Sequence, residues 1–415
     1  MEISQFLSKA YTAYHATALA VAELQEAGFE RLERGDKWVL KEGGKYFLTI
    51  NGSALIAFVV GDPKGGFDLA MSHTDSPCLK VKGNSLLDSP EGKRLNVEVY
   101  GGLLLYSMLD IPLKVAGRAL VKGPRGVECR LVESDYCVNI PSMCIHHNPD
   151  ANKGLNLNPQ QDMLPLLGEA EDVYSSLGLA DVLDADLFVV PAAAPYRSGK
   201  EGELLVSPRI DNLTSVWASI EAVKEAKPRG VAVVACMDNE EIGSGTKQGA
   251  HSVILEETLR HINLACGGDE VDFGRKCRDG LLLSIDNGHA VHPAHPEKSD
   301  PEQKVYLNKG VVVKHHTNYA TDARSGAAFK AVLADAGIPY QDYYNRSDVR
   351  CGGTLGLISS RLLAMDAVDI GLAQLAMHSA VETVGYADVG RMAAAIKAVL
   401  ETRFEAKGED ILISK

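Results

Sequence analysis

Short, wholly apolar segments that alternate with helical segments constrain the fold of this chain more than any other feature. Three of them, at residues 231–236, 281–285 and 367–370, are too short for helices but have the length of buried parallel strands. A helical pattern over residues 322–336 lies between the last two. Because strands that alternate with helices build a sheet covered on both faces, the sequence predicts an α/β fold with a mostly parallel sheet.

The start of the chain fits the same fold. Apolar residues recur at helical spacing through residues 1–28, which predicts one helix that ends at a glycine. Three short runs follow at residues 46–50, 54–60 and 67–71, separated by Gly, Asn and Pro. These runs predict strands.

The sequence pattern changes between about residues 84 and 202. Apolar and polar residues alternate there and glycine is frequent, a pattern typical of an antiparallel sheet with one solvated face. The α/β pattern resumes afterwards. We therefore predict a discontinuous α/β domain, residues 1–84 and 203–415, interrupted by an inserted β-rich domain at residues 85–202.

Net charge disfavours several classes of partner, and the cysteine content indicates a cellular compartment. Lys+Arg 42 against Asp+Glu 55 gives a net charge of −13, which disfavours nucleic acid and anionic membranes. Eight cysteines without a Cys-x-x-Cys pair predict reduced thiols in the cytosol. The sequence has neither a secretory signal nor a transmembrane stretch. We therefore expect a cytoplasmic protein.

Acidic and imidazole groups follow the predicted strands. They are His73 and Asp75, then Glu240 and Glu241, then Asp286. The carboxyl ends of parallel strands border the ligand crevice of an open sheet, so these side chains are expected to converge. Asp75 could accept the second ring N–H of a metal-bound His73. The alternative is a histidine that only caps a strand.

Other candidates have ordinary structural explanations when taken singly. The adjacent Glu240 and Glu241 repel each other unless a cation intervenes, although acidic solvated loops are common. Asp211 precedes a predicted helix, where Asp is a frequent N-cap, and His378 could be a half-buried core residue. Two imidazoles and three carboxylates nevertheless suit two zinc-like ions that share one carboxylate. The set is His73, Asp211, Glu241, Asp286 and His378.

Five segments resemble, in order, the successive motifs of the aspartyl aminopeptidase family of di-zinc metallo-aminopeptidases. They are HTDSPCLK (73–80), SPRIDNL (207–213), DNEEIGS (238–244), HAVHP (289–293) and QLAMHS (374–379). The resemblance implies a zinc-exopeptidase-like catalytic domain. It also implies a cytoplasmic enzyme that hydrolyses the N-terminal residue, preferably Asp or Glu, from peptides.

The same resemblance implies roles for individual residues. One zinc would be held by His73 and Asp286, the other by Glu241 and His378, with Asp211 bridging the two. Co²⁺ or Mn²⁺ are alternatives to Zn²⁺. Glu240 would be the general base for a water activated by the two metals, and Asp75 would orient His73.

The inserted domain resembles the dimerisation domain of the family, whose members form dimers and tetrahedral dodecamers. Within it, the segment at residues 140–146 matches one whose histidine, here His146, reaches the active site of a partner subunit. Residues 308–314 match a strand whose terminal lysine, here Lys314, is associated with acidic substrates. A neutral-residue aminopeptidase of the same family and a catalytically silent oligomeric binding or scaffold protein are the alternatives. Metal assays combined with peptide turnover would separate them.

Overall fold

The computed structural model describes residues 1–349 and 351–414; Arg350 and Lys415, which fall in the predicted catalytic domain, lie outside the described residues. The α-helices of the described part are α1 (Ile3–Lys9), α2 (Ala13–Glu26), α3 (Pro159–Asp162), α4 (Val173–Ser176), α5 (Ile210–Glu225), α6 (Ile254–Ala265), α7 (Glu270–Arg278), α8 (Ala323–Ala336), α9 (Leu355–Leu363) and α10 (Tyr386–Leu400). None of the helices in these ranges combines the length and the apolar character needed to cross a bilayer.

The β-strands of the same ranges are β1 (Glu30–Arg31), β2 (Lys45–Ile50), β3 (Ala54–Val60), β4 (Phe67–His73), β5 (Cys78–Ser89), β6 (Gly92–Tyr100), β7 (Leu113–Gly123), β8 (Gly126–Glu133), β9 (Leu166–Gly168), β10 (Val182–Pro191), β11 (Tyr196–Ser198), β12 (Leu204–Ser207), β13 (Val231–Met237), β14 (Leu282–Ile285), β15 (Gly288–His289), β16 (Val311–His315), β17 (Tyr340–Tyr344), β18 (Ala367–Gly371), β19 (Ala373–Leu375), β20 (Glu382–Gly385), β21 (Arg403–Lys407) and β22 (Asp410–Ser414). Short 3₁₀ turns cover Leu105–Met108, Ala151–Lys153, Glu240–Ile242 and Pro296–Lys298.

A central sheet of nine strands, counted within the described residues, has the order β1-β2-β3-β13-β4-β14-β18-β16-β17. Its middle strands β13, β4, β14 and β18 run parallel to one another. Antiparallel pairs join β2 to β3, β3 to β13 and β16 to β18. The predicted α/β class is therefore confirmed, and the sheet itself is mixed.

Helices cover both faces of the central sheet. Successive side chains of a strand point to opposite faces. In β13, Val234 belongs to the apolar core that includes residues of α1, α2, α5, α8 and α10. Its neighbour Val233 belongs to the core on the other face, which includes residues of α6, α7 and α9. Burial on both sides explains why the central strands are apolar at almost every position.

A second sheet, with the order β8-β7-β10-β5-β6-β9, is antiparallel throughout. It has its own apolar core, which includes Leu79, Val115 and Val189. Its strands lie between Cys78 and Pro191, the part of the chain where apolar and polar residues alternate. The domain bounds at residues 85–202 stay a prediction.

A third, small sheet with the order β11-β12-β20-β19-β15 connects distant segments of the chain. Strand β12 leads into the segment that contains Asp211, β19 leads to His378, and β15 follows Asp286. Strand β20 begins at Glu382 and pairs antiparallel with both β12 and β19. The sheet therefore brings together three segments that are far apart in sequence.

The predicted single helix over residues 1–28 is wrong. Helix α1 ends at Lys9 and α2 begins at Ala13, after Thr12 takes an extended conformation with φ −139°. Thr12 Oγ1 lies 2.9 Å from His15 Nδ1, and local side-chain hydrogen bonds of this kind compete with helix continuation. Tyr11 lies in the break between the two helices. Nζ of Lys114, a residue of β7, lies 5.1 Å from the centroid of the Tyr11 ring, so Tyr11 contacts the second sheet.

Candidate metal centre

The segments that follow β4, β13 and β14 meet at one edge of the central sheet. His73, the last residue of β4, lies opposite Met237, the last residue of β13. Strand β14 pairs with the other side of β4 and ends directly before Asp286. Parallel neighbours end at the same edge, which brings His73, the Glu240–Ile242 turn and Asp286 together.

Asp211 lies between two imidazoles. Its Oδ1 is 3.5 Å from His73 Nε2, and its Oδ2 is 3.5 Å from His378 Nε2. The residue is 3% exposed at the start of α5. A carboxylate whose two oxygens face different imidazoles has the arrangement of a bridging ligand.

Each imidazole also contacts a second carboxylate. Glu241 Oε1 is 3.3 Å from His378 Nε2, and Asp286 Oδ1 is 3.6 Å from His73 Nε2. Ligand atoms of His73, Asp211 and Glu241 all lie within 4.8 Å of one another. The structure therefore brings the five predicted ligands into one cluster, in two groups that share Asp211.

Opposite charges dominate this cluster. Burial lowers the pKa of His378, but Asp211 and Glu241 outweigh burial and raise that pKa to about 11. Burial likewise lowers the pKa of His73, and Asp211 and Asp286 raise it well above its ordinary value. Burial raises the pKa of Asp211, yet His378 and His73 hold it well below its usual range. These buried carboxylates therefore depend on positive charge beside them.

The residues present fit divalent metal ions. Asp211 Oδ1 is buried and has no hydrogen-bond partner among the described residues, which leaves a position for a ligand at that oxygen. A buried polar atom without a partner is costly. Imidazole nitrogens and carboxylate oxygens are the ligands of catalytic zinc sites. The cluster could therefore hold zinc.

Asp75 connects His73 to the turn that carries Glu240 and Glu241. Its Oδ1 is 3.3 Å from His73 Nδ1, which also lies 3.1 Å from the backbone carbonyl oxygen of Asp75. The backbone N–H groups of Glu240 and Glu241 donate to Asp75 Oδ1 and Oδ2 at 3.1 and 3.2 Å. One carboxylate thus contacts both an imidazole and the loop that follows β13, and its role in orienting His73 stays a prediction.

Glu240 is half-buried beside the cluster, in the 3₁₀ turn after β13. Burial raises the pKa of Glu240 to about 8; His73 opposes this shift, and Asp286 and Glu241 reinforce it. A general base works best when its pKa lies near the operating pH. The base role of Glu240 stays a prediction.

Tyr100 holds Asp75 from the second sheet, and sequence reasoning missed it. Tyr100 Oη donates to Asp75 Oδ2 at 2.7 Å and accepts from Asn239 Nδ2 at 2.8 Å. It is the last residue of β6, directly before two glycines. A tyrosine at the end of a strand is common, so the sequence carries only a weak signal for this role.

Glu382 is a second residue that sequence reasoning missed. It is 2% exposed, and its Oε2 and Oε1 accept hydrogen bonds from the backbone N–H groups of Asp211 and His378. Burial, together with the Asp211 carboxylate, raises the pKa of Glu382 well above its ordinary value. An acidic residue among Ala, Val and Thr, four positions after His378, is the signal that could have found it.

Lys314 lies against Asp286, with only 2% of its surface exposed. Its Nζ donates to the carbonyl oxygens of Asp286 and Asn287 at 3.0 and 3.1 Å, and lies 3.8 Å from Asp286 Oδ2. The ring of Tyr319 lies 5.0 Å from the same Nζ. Lys314 is therefore adjacent to the cluster, and its role towards acidic substrates stays a prediction.

His146 lies outside this cluster. It is exposed in the loop between β8 and the Ala151–Lys153 turn. Its predicted role concerns the active site of a partner subunit and stays a prediction.

Similarity to known proteins extends over nearly the whole chain. The family described as Aminopeptidase I zinc metalloprotease (M18) matches residues 6–399. The probable M18 family aminopeptidase 2 of Clostridium novyi (strain NT) is 38% identical over 410 residues, which cover 93% of this chain and 95% of the relative.

Solved structures share the fold. A chain of "Cryo-EM structure of the Ape4 and Nbr1 complex" matches with a TM-score of 0.91 and 28% identity, and the match covers 95% of this chain and 84% of that chain. A chain of "Structure of S. cerevesiae mApe1 dodecamer" matches with a TM-score of 0.82 and 25% identity, over 95% of this chain and 94% of that chain.

Proposed function

Because the chain belongs to the aminopeptidase I zinc metalloprotease (M18) family, the family of the aspartyl aminopeptidases, it is a zinc aminopeptidase, and we propose that it removes N-terminal Asp or Glu from peptides. The predicted family membership is thereby confirmed. We further propose that each subunit holds two divalent ions, with zinc as the native metal and Co²⁺ or Mn²⁺ as substitutes.

The position of Asp211 between His73 and His378 is the observation that carries the two-ion proposal. Its two oxygens face different imidazoles at 3.5 Å, and each imidazole has its own additional carboxylate. In this proposal His73 and Asp286 hold one ion and Glu241 and His378 hold the other. Asp211 is shared by both ions.

Bound at these residues, divalent cations supply Lewis acidity that polarises a peptide carbonyl and lowers the pKa of water. The residues around them control orientation and proton transfer. Glu240 takes a proton from the attacking water and passes it to the leaving amine. Asp75 fixes this arrangement, because it accepts the backbone N–H of Glu240 and lies against the ring of His73.

The preference for acidic substrates rests on Lys314. Its buried ammonium group lies beside Asp286 at the edge of the proposed centre. Two of its three hydrogens are donated to the carbonyl oxygens of Asp286 and Asn287, which leaves one for a further acceptor. Lys314 already donates two hydrogen bonds within the protein, so it could have a purely structural role. The enzyme would then prefer neutral N-terminal residues, and a substrate panel distinguishes this alternative.

We propose that the enzyme is a homo-oligomer built through the second sheet. This sheet has its own core and an edge strand, β8, whose residues are nearly all exposed. The S. cerevesiae mApe1 structure, described as a dodecamer, supports an oligomer for this chain. In the proposal, His146 from one subunit hydrogen-bonds the tetrahedral intermediate in the active site of another.

A cytoplasmic location is also part of the proposal. All eight cysteines of the chain fall within the described residues, and they are free thiols, three of them exposed. Free exposed thiols are typical of reducing compartments.

Removal and restoration of metal, combined with a substrate panel, tests the proposed function. The protein is stripped with a chelator, its metal content is measured, and Zn²⁺, Co²⁺ or Mn²⁺ is added back. We expect activity to disappear and return, with aspartyl and glutamyl substrates hydrolysed faster than leucyl and lysyl ones. Full activity without metal would refute metal dependence, and faster leucyl hydrolysis would favour the neutral-residue alternative. Metal binding without turnover of any peptide would indicate a silent binding protein.

A further inference from the structure

Glu382 lies between the two chain segments that carry Asp211 and His378. Strand β20 pairs with β12 through Glu382 and Ser207, and with β19 through Thr383 and Leu375. Asp211 follows the end of β12, and His378 follows the end of β19. The register of this small sheet therefore places one buried carboxylate between two proposed metal ligands.

Both oxygens of Glu382 bind the backbone of these ligands. Oε2 accepts from the N–H of Asp211 at 2.9 Å, and Oε1 accepts from the N–H of His378 at 2.6 Å. One side chain thus sets the spacing between the two ligand backbones.

The backbone at His378 needs such support. His378 has φ +65° and Ala376 has φ +56°, and non-glycine residues rarely adopt this left-handed conformation. Such a conformation is strained and persists only where its surroundings hold it. The His378 side chain is also 28% exposed, so packing alone restrains it less than the other ligands.

Asp211 has other restraints. Ser76 Oγ donates to the carbonyl oxygen of Asp211 at 2.7 Å. The next residue, Asn212, is fully buried and donates through Nδ2 to the carbonyl oxygen of Ile285 at 2.7 Å.

His378 is also held elsewhere, because its carbonyl oxygen accepts the N–H of Leu104 at 3.0 Å and its Nδ1 lies 3.1 Å from the carbonyl oxygen of Gly102. His378 nevertheless has the left-handed backbone and the more exposed side chain of the two, so loss of the Glu382 carboxylate should disturb His378 more than Asp211.

We propose that Glu382 is a positioning residue that holds His378 in its metal-binding conformation, so that its loss weakens the ion bound by His378 and Glu241 more than the ion bound by His73 and Asp286. The proposal rests on the two-ion function proposed above. Glu382 would fix the conformation of His378 before any substrate binds.

The substitution Glu382→Gln tests this role with little change in shape. The amide keeps one acceptor oxygen but presents its NH₂ group to the other backbone N–H, so one of the two hydrogen bonds is lost. Glu203→Gln is the matched control, because Glu203 is exposed directly before β12. Metal-free protein is titrated with Co²⁺ against a competing chelator, and the visible absorption of each bound equivalent is recorded.

We expect two tight Co²⁺ equivalents in the parent and in Glu203→Gln. In Glu382→Gln one equivalent should keep its affinity, and the other should bind about 10- to 100-fold more weakly with an altered spectrum, the range seen for partners that orient metal ligands. The retained equivalent shows that the variant has folded. If Glu382→Gln does not fold, Glu382→Asp, which is one methylene shorter, takes its place with the same expectation.

Two results would overturn the proposal. Unchanged affinity and spectrum for both equivalents would show that His378 is held without Glu382. An equal weakening of both equivalents would show a general structural role. A parent protein that binds fewer than two equivalents would instead contradict the two-ion function itself.

Discussion

Tyr100 Oη donates a hydrogen bond of 2.7 Å to Asp75 Oδ2, and this bond connects the second sheet to the candidate metal centre. Asp75 in turn contacts His73 and accepts the backbone N–H groups of Glu240 and Glu241. A residue of the second sheet therefore contacts the candidate centre through one carboxylate, that of Asp75. The second sheet thus contributes to the site of its own chain, in addition to its proposed role between chains.

Tyr100→Phe should lower kcat/KM by about 10- to 100-fold, because Asp75 loses a partner that holds it against His73. It should also cost about 1 kcal/mol of stability, since the half-buried Asn239 side chain loses its acceptor at the same time. Steady-state kinetics and urea unfolding measure the two effects. Tyr106→Phe, at an exposed tyrosine, is the control. Parent-like kinetics in Tyr100→Phe would show that Asp75 does not need this bond.

Glu240→Gln should keep the fold and the metal content while turnover falls by about 100-fold or more, the effect expected for a positioned proton acceptor. Glu26→Gln changes an exposed glutamate at the end of α2 and should be silent. Metal analysis and kcat on an aspartyl substrate distinguish the two variants. Normal turnover in Glu240→Gln would assign the base to another residue.

Mixed oligomers test whether His146 acts in a partner subunit. His146→Ala and Glu240→Gln should each be nearly inactive alone. After reversible dissociation and mixing, some active sites combine an intact Glu240 with an intact His146 from a neighbour, and activity should return. The activity of verified mixed oligomers is the measurement. No gain over the separate variants would contradict catalysis across the interface.

Lys314→Met should lower kcat/KM for aspartyl and glutamyl substrates more than for leucyl substrates. The carboxylate of an acidic substrate would lose the ammonium group of Lys314 as its partner in a buried pocket. The difference should correspond to about 2–3 kcal/mol in transition-state binding. Lys309→Met, at an exposed lysine of the preceding segment, is the control. An equal loss for all substrates would indicate that Lys314 only supports Asp286 and Asn287.

The buried histidine His15 should make the free energy of unfolding fall in acid. Burial lowers the pKa of His15 from 6.5 to about 4; Glu133 opposes this shift, and Arg209 and Lys114 add to it. The unfolded chain therefore takes up a proton below its pKa of 6.5 while the folded protein stays neutral. The stabilisation is fully present above this pH and is lost as the pH falls towards 4.

Between about pH 7 and pH 4.5 this single group should reduce the free energy of unfolding by about 2 kcal/mol. Urea unfolding at the two pH values measures the drop in the parent and in His15→Gln, which should show a drop smaller by that amount. His251→Gln, at an exposed histidine, should behave like the parent. An identical pH dependence in His15→Gln and the parent would remove His15 as a cause.

Much of the fold and of the ligand set is readable from local pattern. The runs at residues 54–60 and 231–236 are apolar at every position because both faces of their strands are covered. His73 is the last residue of β4 and Asp286 directly follows β14, and the rule that parallel strands end at one edge brings them together. Periodicity and position after a strand are properties of the sequence itself.

Other features depend on contacts between segments that are distant in the chain. The register of β20 between β12 and β19 places Glu382 against both Asp211 and His378. The end of β6 brings Tyr100 to Asp75, and the break before α2 coincides with one hydrogen bond between Thr12 and His15 that periodicity does not reveal. A shift of one residue in a strand register would move each side chain to the other face. Local sequence therefore determined which residues are candidate metal ligands. Only the tertiary structure decided which other side chains, such as Glu382 and Tyr100, hold those candidates in position. The physical reason is that these hydrogen bonds form only after distant strands have paired.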